Sequence, residues 1–270
     1  MIATLRYEFG MQVRRPILWI VYGLASAALV GLMWQGYVVP TLGLGDPDDP
    51  RSAMIAVSQT VMTLMPIVYG CLLADRLIRD RTLGVAGILD STPAGRTGRL
   101  IGKYLGVCAA TAAPIAVMYL GRAVVYAVAE GKPQALGWAV VLFLVKIVPA
   151  LAFVGALSLA GPLLVPPLVF RVLFVGYWFW GNLIPATMMP TLSHTVLSAN
   201  ADYVEYGLFG DPSTAPGADY PPYGPWDGAA LNLLRPLASP AVAFLWIGLM
   251  VAMAAVALFL ARLHAIRTES

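Results

Sequence analysis

The chain has 270 residues, with 17 Lys and Arg against 14 Asp and Glu for a formal net charge of +3. Hydrophobic residues make up 59% of it and its mean hydropathy is +0.77. That composition excludes an ordinary water-soluble domain, and so small a charge gives no case for nucleic acid as a partner.

Apolar segments of about 20 residues recur along the chain and must be helical, because lipid offers the backbone no other hydrogen-bond partner. The expected fold is an all-α integral membrane protein, a six-transmembrane-helix bundle preceded by an interfacial helix. Met1 to Pro16 places Ile2, Leu5, Phe9 and Val13 close to one helical face, with Arg6, Glu8, Gln12 and Arg14 elsewhere, so it is expected to lie along the membrane. The first span is Ile17 to Val39, followed by a turn-rich acidic loop from Pro40 to Arg51. Ser52 to Ala74 is the second span. Its Ser58, Gln59, Thr60 and Thr63 should face other helices, because an unpaired polar group in hydrocarbon is costly.

The third span runs from Ile101 to Ala129 with a kink expected at Pro114, and the fourth from Leu136 to Leu164. The Gly161 to Pro167 segment breaks the helix before a fifth span, Val169 to Ile184, and Pro240 to Leu263 is the sixth. Between Pro185 and Pro236 lies the longest region outside the spans, expected to be extracytoplasmic. Its stretch Ala186 to Leu197 reads as a short re-entrant or interfacial helix. Cys71 and Cys108 fall within apolar segments and read as small core residues.

Asp75 to Lys103 holds six of the 17 cationic residues and sits between two apolar runs. Leu77, Ile78, Val85, Ile88 and Leu89 can share one side of a lateral helix there, and Thr92-Pro93 supplies the start of a second helix leading into the third span. Gly98, Gly102, Gly106 and Ala110 recur at intervals of four, a stripe that lets another helix approach closely, either within the subunit or at a dimer seam. Twelve Lys or Arg fall on one side of the six-span plan and three on the other. The positive-inside rule then assigns both termini and Asp75 to Lys103 to the cytoplasm of a cell membrane.

A basic N-terminal helix, Gly70-Cys71-Leu72-Leu73-Ala74-Asp75-Arg76, Arg79-Asp80-Arg81-Thr82-Leu83-Gly84, Leu89-Asp90-Ser91-Thr92-Pro93 and Gly102-Lys103 together resemble the ABC-2 type transporter permeases. The likeness covers the six-span plan, and its distinctive wording is confined to about thirty residues. It implies that Asp75, Arg76, Arg79, Asp80, Arg81, Gly84, Asp90 and Arg96 belong to a coupling segment that docks on an ATPase subunit, with two permeases and two ATPases per transporter. A phosphate-cradling loop needs Gly-x-x-x-x-Gly-Lys followed by Ser or Thr. Gly102-Lys103 is followed by Tyr104 with Thr97 at the first Gly position, and Gly131-Lys132 is followed by Pro133. No cofactor is therefore expected in this chain, with ATP and magnesium in the partner. The second permease is either another copy or a homologue, and the implied activity is export of a hydrophobic or amphipathic substrate.

Lys146 lies about ten residues, or roughly 15 Å, into the fourth span. An ionisable residue at that depth faces the bundle interior or a wet cavity, where it either contacts substrate or pairs with a neighbouring helix. Gln59, Tyr177 and Trp178 are the other candidates for the substrate path, although Tyr177 to Trp180 also reads as an interfacial aromatic belt. The charges of Asp75 to Arg81 have a second reading as anchors at anionic headgroups. Two further functions stand beside export, a lipid-modifying membrane enzyme and a non-catalytic anchor or assembly subunit. For the enzyme, Asp202 and Glu205 can share a helical turn, but their Gly- and Pro-rich surroundings favour a solvated loop face. The residues show no metal-binding spacing around His194 and His264.

Overall fold

The computed structural model describes residues 1–34, 49–78, 96–184, 188–209 and 232–267, and among them every regular element is helical. α1 is Ile2–Val13, α2 Pro16–Trp34, α3 Pro50–Leu73 and α4 Arg96–Ala129. α5, Gln134–Leu142, passes through a π turn at Phe143–Ile147 into α6, Val148–Ala160, which ends in a 3₁₀ turn at Gly161–Leu163. α7 is Pro167–Trp178 with a π turn at Phe179–Leu183, α8 is the single turn Asp202–Val204 running into a π turn at Glu205–Phe209, and α9 is Pro240–Arg267.

Four helices are long and apolar enough to cross a membrane: Pro50–Leu73, Thr97–Ala129, Gln134–Leu163 and Pro240–His264. Their outward faces carry exposed Val117, Val124, Val128, Leu144, Phe244, Val251 and Phe259, an apolar belt that water would not tolerate and lipid covers. The chain is a helical membrane protein. α2 and α7 stand where the first and fifth spans are expected, and both are shorter than these four. Residues 35–39 of the expected first span lie outside the described residues.

α3 is the central rod. It buries Met54, Met62, Met65, Tyr69 and Leu73 against α4, α5, α6 and α7. Its start is capped by Asp49, whose side chain accepts from the amides of Arg51 at 3.2 Å and Ser52 at 3.0 Å. Burial pushes the Asp49 carboxyl up, but the Ser52 and Arg51 hydrogen bonds and the Arg51 charge outweigh that and hold it below the usual carboxylate range. Close backbone approach fixes the neighbours of α3. Phe174 of α7 lies over Gly70, and Tyr69 and Cys108 lie over Gly155 of α6, where no Cβ would fit. Pro114 is accommodated inside a continuous α4.

α1 packs across the start of α4 with a side that mixes apolar and polar residues. Ile2 and Phe9 are exposed, while Gln12 is buried and Met1, Leu5 and Glu8 approach α4. The small-residue stripe explains this placement. A Cβ on Gly102 would sit 2.7 Å from the Met1 carbonyl oxygen, and one on Gly106 2.6 Å from that of Leu5. Gly98 faces Met1 more loosely, at 3.9 Å, and Ala110 is fully buried. The α1 backbone thus occupies the stripe within the chain, leaving Ile2 and Phe9 for lipid.

The expected helix over Ala186 to Leu197 is not present in the described part of that stretch. Met188 to Asn200 is a succession of turns and bends, and the short helix falls later, at Asp202. Beyond Ile78 the expected lateral helix lies outside the described residues, as does the Thr92-Pro93 start, and α4 is described from Arg96.

Gly106→Leu is expected to lift α1 from α4. The readout is increased labelling of a cysteine placed at Leu5 in the variant relative to the parent, together with a destabilisation of about 1–3 kcal/mol from overpacking.

Candidate functional site

Two of the places where the described residues bring charged side chains together lie toward opposite ends of α3. The first is a buried cluster beneath the segment 188–209. Lys146 is fully buried within the α5 to α6 span and forms an ion pair with Glu205, itself 1% exposed. The Lys146 ammonium also donates to Ser58 Oγ at 3.0 Å, and Gln59 Nε2 donates to the second Glu205 oxygen at 2.6 Å. Ser58 passes its own hydroxyl hydrogen to the Ile55 carbonyl at 2.7 Å. Lys146 and Gln59, two of the substrate-path candidates, are therefore brought together on one carboxylate.

Local backbone explains how these groups meet. Lys146 sits in a π turn and Glu205 opens another. Pro149 lacks the amide that would bond the Val145 carbonyl in a regular helix, and the wider turn before it, closed by Val148 N–H to the Phe143 carbonyl, accommodates that loss. Ala201 adopts a left-handed φ of 66° immediately before α8, which turns the chain so that Asp202 and Glu205 both enter the bundle.

A shell of hydrogen bonds holds the segment 188–209 in place. Asn182 Oδ1 accepts from Ser198 Oγ at 3.1 Å and from the Ala199 amide at 2.8 Å. The Trp246 indole donates to the Ser198 carbonyl at 2.8 Å, and the Tyr203 hydroxyl donates to the Pro236 carbonyl at 3.0 Å. Gly207 lies against the Ser239 carbonyl at the start of α9. His194 Nδ1 lies 3.0 Å from Asp202 Oδ2, and Asn200 donates to Asp202 Oδ1 at 3.2 Å. Burial pushes the Asp202 carboxyl up, but the neighbouring His194, Lys146 and Arg235 hold it below the usual carboxylate range.

Two expectations are corrected here. Asp202 and Glu205 do not form a solvated loop face, because Lys146 and Arg235 supply the countercharge that lets them be buried. Arg235, one of the three cations on the outer side of the six-span plan, lies between the 3₁₀ turn Asn232–Leu234 and α9 and is 1% exposed. Trp178 is not part of an interfacial belt: its N–H donates to the Thr63 carbonyl at 2.9 Å, and it is buried against α3. Tyr177 packs on Phe174 at 6.3 Å, while Phe179 and Trp180 are exposed. The signal that sequence reasoning missed was the pairing of one intramembrane cation with acidic residues in the longest non-spanning region.

The second place is the opposite end of α3. Asp75 forms an ion pair with Arg171 of α7, whose Nε also donates to the Cys71 carbonyl at 3.2 Å. Arg76 Nε donates to the Leu72 carbonyl at 3.3 Å. These residues line a cleft of about 470 Å³ together with Arg15, Leu72, Ile78 and Pro167. Of the other coupling candidates, Arg79, Asp80, Arg81, Gly84 and Asp90 lie outside the described residues, and Arg96 is the first residue of α4. Among the described residues no group of three or more His, Cys, Asp or Glu side chains could hold a metal ion.

No family model, curated protein or solved structure matches the chain.

Removing either partner of the Lys146–Glu205 pair leaves the other charge buried and uncompensated. Glu205→Gln and Lys146→Met are each expected to cost about 3–5 kcal/mol, whereas the double variant is expected to be more stable than either single one. Thermal unfolding in detergent measures this, and additive losses in the double variant would contradict the pairing.

Proposed function

We propose that the chain is the permease subunit of an ATP-binding-cassette exporter of the ABC-2 type, working with a separate ATPase subunit and a second permease. The observation that carries this reading is the segment from Gly70 to Lys103. Its wording resembles that family, and it is bracketed by the end of α3 and the start of α4, beside the cleft where Arg15, Arg76 and Arg171 collect. In this reading that end faces the cytoplasm, α2 and α7 complete a six-span bundle, and residues 79–95 form the contact with the ATPase. The cargo is a hydrophobic or amphipathic compound.

The Lys146–Glu205 pair takes a gating role here. It fixes the segment 188–209 across the outer end of the bundle, and export of a molecule past that end requires the segment to move. An anionic or strongly polar group on the cargo offers Lys146 a replacement for Glu205, which lowers the cost of opening.

A lipid-modifying enzyme is the alternative that the cluster raises, because Ser58 and Lys146 stand at the distance of a nucleophile and its amine base. Their other partners argue against it. The Lys146 amine is engaged by Glu205, and Ser58 Oγ accepts from it while having the Ile55 carbonyl at 2.7 Å and Glu205 Oε1 at 3.4 Å as acceptors of its own hydrogen. The outer polar cluster therefore reads as a latch and not as a base-activated hydroxyl.

Co-expression with a candidate ATPase tests the proposal directly. The complex is expected to co-purify with ATP hydrolysis above that of the ATPase alone. The double charge reversal Arg79→Glu with Arg81→Glu should leave the complex assembled while transport falls at least about tenfold, on the order of 1.4 kcal/mol in coupling. Full coupling in that variant counts against the reading, and an ATPase whose rate ignores the permease points to the anchor alternative.

A further inference from the structure

The groups that hold Glu205 and Glu205 itself belong to different parts of the fold. Lys146 stands on the α5 to α6 span and Ser58 and Gln59 on α3, whereas Glu205 arrives on the segment that folds back between α7 and α9. The bundle holds the donors and the returning segment brings the acceptor. One carboxylate oxygen takes the Lys146 ammonium, and the other takes the Gln59 amide at 2.6 Å. Ser58 Oγ accepts from the same ammonium at 3.0 Å and lies 3.4 Å from the oxygen that Lys146 holds, so it fixes where the positive charge sits. Donors placed on two helices so that each meets a different oxygen recognise a planar carboxylate as a unit.

Charge and walls narrow the ligand further. Lys146 supplies one positive charge, which a monoanion cancels, and a neutral group would leave that charge buried and uncompensated. The second charge of a phosphate dianion would have no such partner, and Asp202, already paired with His194, acts on the same place. Met54 and Met62, one turn to either side of Ser58, and Ile147, next to Lys146, have no exposed surface. The chain that carries the carboxylate therefore meets apolar side chains, as the two methylenes of Glu205 do.

We propose that Lys146, Ser58 and Gln59 form a receptor for an aliphatic monocarboxylate and that Glu205 is its built-in occupant. The receptor requires no partner subunit. Its use in transport rests on the exporter reading: there, displacement of the segment 188–209 exposes the donors to cargo, and the cargo is an amphipathic carboxylic acid in its ionised form.

Glu205→Ala removes one methylene and the carboxyl group, close to the atoms of an acetate ion. The test offers acetate to the purified full-length variant in detergent and reads the thermal midpoint, with chloride, inorganic phosphate and acetamide in parallel at one ionic strength. In chloride the variant is expected to melt below the parent. Acetate is expected to recover at least about half of that loss, rising with concentration as mass action requires, while phosphate and acetamide recover little. The parent, with Glu205 in place, should shift no more in acetate than in chloride, and Lys146→Met with Glu205→Ala should not respond. If Glu205→Ala does not fold in chloride, its recovery as monodisperse protein from membranes extracted in acetate is the same readout. Absence of an acetate effect by either readout overturns the proposal. An equal effect of acetamide or phosphate, or an acetate response that persists without Lys146, overturns it as well. No step uses an ATPase, so a failed rescue leaves the exporter reading standing, and a chain that couples to no ATPase leaves the receptor standing.

Discussion

A lysine ammonium enclosed in a helix bundle is the constraint on which the far end of this molecule depends. Uncompensated, such a charge costs several kcal/mol even after the protein relaxes, a large share of the net stability of a domain. The helices around Lys146 supply Ser58 and Gln59, which are neutral and cannot cancel the charge. The carboxylate has to come from outside them, and Glu205 reaches it only because the chain between α7 and α9 folds back into the bundle. The left-handed turn at Ala201, the two π turns and the Asn182 hydrogen bonds are what that requirement imposes on the backbone.

Much of the architecture was legible because lipid imposes a simple code. Long apolar runs became α3, α4, the α5 to α6 span and α9, with ends near those expected, and the Gly161 to Pro167 breaker separated α6 from α7 as its composition dictates. Burial of Lys146 followed from its depth in a span. Its partner did not, because Glu205 is 59 residues away along the chain and stands in a segment whose Gly, Pro and Asp content signals a solvated loop. Local composition describes what a segment does alone. It says nothing about a countercharge waiting in another element, and Asp202 was misread for the same reason.

α1 shows a related limit. Periodicity identified the helix, but hydrophobicity does not decide which side packs on a neighbour when the surrounding medium is hydrocarbon. Lipid accepts Ile2 and Phe9 without penalty, so packing is decided by shape. Gly102 and Gly106 remove the side chains that would keep two backbones apart, and α1 settles there with Leu5, Glu8 and Gln12 inward. The glycine stripe, and not the hydrophobic one, sets the orientation.

The two charged places are joined by a single element. Ser58 and Gln59 stand on α3 near the buried ion pair, and Asp75 and Arg76 follow its other end, about 25 Å away by helical rise. α7 is braced along the same rod, through Trp178 on the Thr63 carbonyl, Phe174 over Gly70 and Arg171 on Asp75. These contacts are close-packed, so α3 and α7 do not slide past one another by small increments. A displacement imposed at the arginine end therefore reaches the ion pair by movement of the rods together, or is absorbed where a rod can bend. Pro66 is the proline inside α3 and lies between the two places, where the missing backbone hydrogen bond makes bending cheapest. In an exporter driven from the arginine end, the strength of coupling would then depend on how stiffly the packing around Pro66 holds, since any bending there spends the displacement before it can separate Lys146 from Glu205.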